Sequence, residues 1–284
     1  AFNRLTVALA TPSLYTLYGC PPGLQRALVI GISQSGQSPD IVSVIQEAKD
    51  QGRPTLAITN DVASPLASAS EFTLPLHAGP EKAVAATKTY TASLAALALL
   101  SSALANDTER LAQLGQLSEL MSQTLQGLKP MIPRVERYRY MTQCAVLGRG
   151  FNYATAFEIA LKIKELTRVV AEPYSSADFR HGPIAMIQPG FPVFVIMPRG
   201  AVLQDMREIL ANLQRLGAEC LVASDDAVFL EQAELPMSLP PGAPEWSTPL
   251  LAVLPGQMFA LNLARVKHLD PDHPKGISKV TETW

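Results

Sequence analysis

No stretch of this sequence concentrates positive charge. Its 23 lysines and arginines are scattered among 25 acidic residues, for a formal net charge of −2. Without a basic block there is no electrostatic footprint for a nucleic-acid backbone. Cysteine is scarce: Cys20, Cys144 and Cys220 lie far apart and are odd in number. That excludes a disulfide framework, shows no zinc-type spacing, and suits a reducing, cytoplasmic compartment. Apolar runs long enough to span a bilayer are missing too. The longest, YTASLAALALLSSALA (residues 90–105), falls short of the ~20 residues a span requires and reads as a buried helix. The opening segment FNRLTVALATPSLYTLYGC carries a charge, an apolar run and a cysteine, but Leu5 to Ala10 is too short for the core of an export signal. It reads instead as a strand.

What is present is an alternation. With 48% hydrophobic and only 17% charged residues, the composition is that of a well-buried α/β protein. Its 284 residues suffice for one large domain or two ordinary ones. Strand-like runs ALVIGI (27–32), TLAITN (55–60) and FTLPLH (72–77) are interleaved with helical stretches at 38–51, 83–104 and 107–127, the last with Asp107 placed to cap it. After a proline-containing segment the alternation restarts. CAVLGRG (144–150), RVVAEP (168–173), VFVIMP (193–198), ECLVAS (219–224) and AELPMSLP (233–240) are strand-like, with helices at 153–167, 201–216 and 247–268. Such alternation predicts parallel sheets covered by helices on both faces. The expected boundary falls near Pro130–Tyr138, giving domains 1–130 and 139–284. The second half opens with a strand, a Gly-Arg-Gly turn and a helix, whereas the first has no such opening; in the common order 2-1-3-4-5 the strand it lacks is interior. The first half is therefore expected to be incomplete.

Three segments carry chemistry. GISQSGQSPD (31–40) follows a strand and enters a helix, so its backbone N–H groups stand at a helix N-terminus where an anion is favoured. Ser33, Ser35 and Ser38 add hydroxyls, Gln34 an amide, and Gly36 freedom for positive φ; Ser38-Pro39 makes a helix entry. The Gly31-to-Gly36 spacing imitates a nucleotide-binding loop, but Gln37 stands where the lysine belongs, so a phosphomonoester suits it better than a triphosphate. An ordinary polar turn with a capped helix fits the same residues. HAGPEKAVAATKTYTASL (77–94) places small residues and Lys88 before an apolar helix, a pattern of close ligand approach or of plain helix packing. In FEIALKIKELTRVVAEPYSSADFRHGP (157–183), Glu158, Lys162 and Glu165 share one helical face. A solvated ladder has that pattern, but a carboxylate with His181 nearby is also a pair for moving protons on a sugar.

Together these pieces resemble the sugar isomerase (SIS) domain family in its double-domain form, through SQSGQSPD, GPEKAVAATKTY, LGRGFNYATAFEIALKIKE, AEPYSSADFRHGP and DPDHPKGISKVTETW. The nearest likenesses are the isomerase half of glucosamine-6-phosphate synthase and the type II glucosamine-6-phosphate deaminases. The resemblance implies two flavodoxin-like doubly wound parallel-sheet domains and a phosphorylated amino sugar as ligand. It assigns Ser33, Gln34, Ser35 and Ser38 to the phosphate and places Val84 in the sugar pocket. Glu165 becomes the carboxylate shuttling a proton between the first two sugar carbons, with Lys162 orienting it. His181 is assigned to ring opening, reaching the site from a neighbouring subunit of a homodimer, and Lys279 faces the carbonyl carbon. Neither metal nor redox cofactor is implied, nor a nucleic-acid or membrane partner. The family's first strand and Gly-Thr-Ser loop have no counterpart here, Ala86 replaces a serine of the synthase, and VAATK with a KVTET tail favours the deaminase branch. The implied reaction is conversion of glucosamine 6-phosphate to fructose 6-phosphate and ammonia. An isomerase lobe of a synthase and a non-catalytic phosphosugar sensor are the rivals.

Overall fold

Runs of four to six residues rich in apolar and β-branched side chains pair as parallel strands twice along this chain, in a three-stranded and a five-stranded sheet. A computed structural model describes residues 3–277. The chain divides after Leu114, the second unit being Gly115–Lys275. The first unit contains α1 (Ser13–Thr16), β1 (Val29–Ser33), α2 (Pro39–Asp50), β2 (Thr55–Thr59), α3 (Pro65–Ala69), β3 (Phe72–Pro75), α4 (Lys88–Leu104) and α5 (Thr108–Leu114). Its strands run parallel in the order β1-β2-β3. The middle strand is buried along its whole length, and Ile45, Ala57 and Leu66 form the core beneath it.

The second unit contains α6 (Leu117–Gly127), a 3-10 helix (Lys129–Tyr138), β4 (Gln143–Gly148), α7 (Asn152–Thr167), β5 (Val170–Ser175), α8 (Ser176–Arg180), β6 (Pro192–Ile196), α9 (Leu203–Arg215), β7 (Glu219–Ser224), α10 (Ala227–Glu231), β8 (Leu235–Ser238) and α11 (Thr248–Val266). The five strands are parallel in the order β5-β4-β6-β7-β8, so the order reverses between β4 and β6. Alternation along β6 separates the two faces. Val193 and Val195 join Met206, Ile209, Leu210 and Leu213 of α9, while Phe194 meets Phe259 of α11 edge-on with ring centroids 6.3 Å apart. Both faces are covered, which makes this sheet doubly wound as expected. Helices α7 and α11 pack closely: a Cβ on Gly256 would collide with the Ile159 side chain. Together with the turn before it, α11 is long and apolar enough to cross a membrane, but two-thirds of that stretch is buried within the protein, as a core helix would be.

Four sequence expectations need correction. LTVALA is not a strand: residues 4–11 form no ladder, and Leu5, Val7 and Leu9 are 64%, 86% and 96% exposed. In the second unit β5 pairs with β4, whereas among the described residues the first sheet has no strand beside β1 to play that part. The helix expected at 107–127 is two, α5 and α6, broken at Gly115–Gln116; Asp107 does cap the first, accepting from Arg110 N at 3.0 Å. Pro130–Tyr138 is no linker, because it forms the 3-10 helix whose Met131, Val135 and Tyr138 are buried, with Tyr138 stacked edge-on against Phe259. With α6 it belongs to the second unit, so the division falls some 20 residues earlier than composition indicated. Helix α4, expected to be buried, buries only Thr89, Thr91 and Ser102 and leaves Leu99 and Leu104 exposed.

Candidate functional site

In the first unit the loop after β1 meets the N-terminus of α2. Gly36 has φ +62, the left-handed conformation expected of it, and a Cβ there would run into Ser64 Oγ. The loop is anchored from outside: Gly36 O accepts from Leu66 N at 3.1 Å, and Gln34 O from Asn60 N at 3.2 Å. Ser33 Oγ accepts from Gly36 N at 3.1 Å and Ser35 Oγ from Gln37 N at 3.3 Å, so each hydroxyl keeps its own proton to donate. Ser38 occupies the N-cap position but makes no side-chain capping bond. All four candidate phosphate ligands, Ser33, Gln34, Ser35 and Ser38, are half-buried on this loop.

A second loop runs from the end of β3 to α4 and is held to the residue that follows β2. The Asn60 side chain brackets it, donating to Gly79 O at 2.8 Å and accepting from Ala78 N at 3.0 Å. Farther along, the buried Glu81 carboxylate accepts from Thr87 N, Thr89 N and Thr89 Oγ1 at 3.3, 3.0 and 2.8 Å. It thereby satisfies the first amides of α4, whose own N-cap residue Thr87 contributes no side-chain bond. Lys88 Nζ donates to Pro80 O at 2.7 Å, so it is tied down rather than freely solvated. Val84 therefore sits half-buried on a loop fastened at both ends. Asn60 and Glu81 were missed in the sequence. Nothing local distinguishes an asparagine ending a strand, or a glutamate between proline and lysine, from a surface residue.

In the second unit, α7 carries the Glu158–Lys162–Glu165 stripe, and the face is not solvated. Glu158 is 8% exposed and Lys162 3%. Lys162 Nζ donates to Glu165 Oε2 at 2.5 Å and lies 3.8 Å from Glu158 Oε1, too far for a hydrogen bond; that oxygen has no partner and is buried. Burial pushes the Glu158 carboxyl up to about 7, helped by the negative charge of Glu165 and opposed by Lys162. One buried ammonium thus sits between two carboxylates of unlike character, one hydrogen-bonded and partly open to solvent, the other proton-retentive. Such a cluster can hold one carboxylate as a base in a fixed orientation.

His181 closes α8 and is exposed. Its backbone N–H donates to Asp178 O at 3.1 Å, and among the described residues no hydrogen bond joins its ring to Glu165. Lys279 lies outside the described residues. The structure thus brings Lys162 and Glu165 together, collects Ser33, Gln34, Ser35 and Ser38 on one loop, and sets His181 on a turn of its own.

Residues 18–103 and 141–265 match the SIS domain family model. The chain is 38% identical over 267 residues to the glutamine–fructose-6-phosphate aminotransferase (isomerizing) of Aquifex aeolicus, covering 92% of this chain and 45% of that protein. It therefore spans less than half the length of that relative. Among solved structures, the C-terminal domain of glucosamine-fructose-6-phosphate aminotransferase from Francisella tularensis superimposes with a TM-score of 0.80 at 27% identity, over 87% of this chain and 73% of that one. Glucosamine-6-phosphate deaminase from Thermotoga maritima shares the fold, with a TM-score of 0.76 at 22% identity over 96% and 80% of the two chains.

Proposed function

The chain belongs to the SIS domain family, and from that premise we propose that it is an aldose–ketose isomerase-type enzyme acting on an amino-sugar 6-phosphate, with deamination of glucosamine 6-phosphate as its reaction. The hydroxyls of Ser33, Ser35 and Ser38 and the Gln34 amide take the phosphate. His181 assists opening of the sugar ring. Glu165 removes the proton on carbon 2 and returns it to carbon 1, leaving a ketimine. Water adds to the imine carbon, ammonia departs, and fructose 6-phosphate remains. Lys162 fixes the Glu165 carboxylate, with Glu158 on the far side of the ammonium at 3.8 Å. Lys279 is assigned to the carbonyl carbon by resemblance alone.

The observation that carries this reading is the burial of Lys162 between Glu158 and Glu165. A buried ammonium and carboxylates cost desolvation, which a merely structural helix face avoids with apolar residues, and binding a phosphosugar without turnover requires no base. The test is ammonia release from glucosamine 6-phosphate. Glu165→Gln is expected to lower kcat at least 100-fold with sugar-phosphate affinity within about threefold, as for loss of a general base. Equal loss of binding and turnover would remove the base assignment. Ser35→Ala is expected to weaken inorganic phosphate and sugar-phosphate binding several-fold with little change in kcat, by isothermal titration and steady-state kinetics. An unchanged affinity would take that loop out of the site.

A second reading has its own support. The 38% identity is to an aminotransferase of which this chain matches 45%, so the chain could serve as the sugar-isomerising portion of a glutamine-dependent synthase. Interconversion of fructose 6-phosphate and glucose 6-phosphate without ammonia release from glucosamine 6-phosphate would favour that role.

A further inference from the structure

One carboxylate outside the Glu–Lys–Glu cluster gathers an unusual number of partners. Asp205, in the first turn of α9, accepts from Ser176 Oγ and from Arg180 Nη1 at 2.5 Å. Its backbone carbonyl accepts from Arg180 Nη2 at 2.9 Å, and Arg149 Nε stands 3.9 Å from the same carboxylate. Ser176 and Arg180 are the two ends of α8. Arg149 lies in the turn between β4 and α7.

A helix of five residues does not hold itself together. At its start α8 is tied by Ser175, whose Oγ accepts from Asp178 N at 3.1 Å and donates to Asp178 Oδ2 at 2.7 Å. At its end the local bond is from His181 N to Asp178 O. Beyond Ser175, the residue directly before it, only Asp205 joins α8 through side-chain hydrogen bonds among the described residues, and it does so at the residue immediately before His181. The Arg180 fork engages both the carboxylate and the main-chain carbonyl, a geometry that fixes direction as well as distance. Through Arg149 the same carboxylate reaches the head of α7, the helix that carries Glu165. Burial alone would raise the Asp205 pKa, but the Ser176 hydroxyl, Arg180 and Arg149 outweigh it and hold the carboxyl below its usual value. The group is thus charged whenever the enzyme works near neutrality.

We propose that Asp205 is a positioning residue that fixes the His181 turn against the start of α7, setting where the imidazole stands relative to the Glu165 helix. It touches no reacting atom. Its link to ring opening rests on the function proposed above; its hold on the turn does not.

Two measurements on the full chain separate these parts. The first is trypsin cleavage at the Arg180–His181 bond, followed by mass spectrometry. Asp205→Ala is expected to speed that cut at least tenfold while other sites and the melting temperature change little, and Asp205→Asn, which keeps a neutral acceptor, is expected to fall between. An unchanged rate would overturn the proposal. The second is steady-state turnover of cyclic glucosamine 6-phosphate. Asp205→Ala is expected to reduce kcat at least tenfold with KM nearly constant, and to add less than twofold to the defect of His181→Ala. Full additivity with His181→Ala would show that Asp205 acts elsewhere and would overturn the link to the histidine. Wild-type protein without any phosphosugar turnover would defeat the proposed function instead, and the cleavage rate would still decide whether Asp205 holds the turn. Should Asp205→Ala not fold, Ser176→Ala removes one α8 partner and Arg180→Lys removes the guanidinium fork while keeping a trypsin site at residue 180, and both are read in the same way.

Discussion

Glu158 shows how much a single residue's meaning depends on its surroundings. In the sequence it is one end of a Glu–Lys–Glu ladder of the sort that lines many exposed helices; in the fold it is 8% exposed with an unpartnered buried oxygen. Burial, the largest cause, pushes its carboxyl up to about 7. A raised acid binds its proton more tightly folded than unfolded. Its stabilisation is therefore complete below the ordinary glutamate value and is lost as pH rises through about 7. Between pH 5 and pH 8 this group should cost the wild-type protein about 1–3 kcal/mol of stability. Glu158→Gln should flatten that slope and leave the variant the more stable at pH 8, as read by urea unfolding at both pH values. A variant with the wild-type slope would show that the titration belongs to another group. The candidate phosphate ligands behave differently. Ser33, Gln34 and Ser35 stand on a strand–loop–helix turn whose geometry is local and so was legible, and Gly36 adopts the positive φ that the sequence indicated.

At the scale of elements, strands flanked by turns were the most legible. ECLVAS is β7 residue for residue, since a short apolar run between two helices has few alternatives. LTVALA has a similar pattern and is not a strand, because a strand exists only beside another, and pairing is not a local property. The Pro130–Tyr138 segment erred in the opposite direction. Two prolines signal a break, yet Met131, Val135 and Tyr138 recur at helical spacing and are buried in the 3-10 helix, which packs on α11. The pairing of α7 with α11 makes a sharp prediction. A Cβ at Gly256 would collide with Ile159, and the atoms it meets include the branch of a buried side chain rather than the tip of a flexible one. Gly256→Ala, although it favours helix locally, should destabilise by about 1–3 kcal/mol through overpacking, and Ile159→Ala should recover part of that loss. A stabilised Gly256→Ala protein would mean that the two helices separate easily.

Across the whole molecule the two units differ in their means of support. The first has a three-stranded sheet over a core of Ile45, Ala57 and Leu66. The second has five strands and, on one face alone, a buried cluster running from Ala145 to Phe229. Fewer buried contacts mean cheaper local opening. Amide hydrogen exchange should therefore be faster in β1, β2 and β3 than in β4, β6 and β7, by tenfold or more. Equal protection in the two sheets would show that they open as one cooperative body. The candidate phosphate loop lies in the weakly supported unit and the Glu–Lys–Glu cluster in the strongly supported one.

The sequence by itself determined what depends on neighbours along the chain: the alternation of strands and helices, the parallel doubly wound character and the turn at Gly36. Tertiary structure alone decided whether LTVALA had a partner, which unit α6 joined, and whether the polar face of α7 met water. It also decided that Asp205 reaches Ser176 and Arg180, 29 and 25 residues away. The reason is physical. Periodicity and turn chemistry act through bonds and the next few residues, whereas burial and hydrogen-bond partnership are set by whatever packs across an element, and polar residues at helical spacing have the same pattern on a wet face as on a dry one.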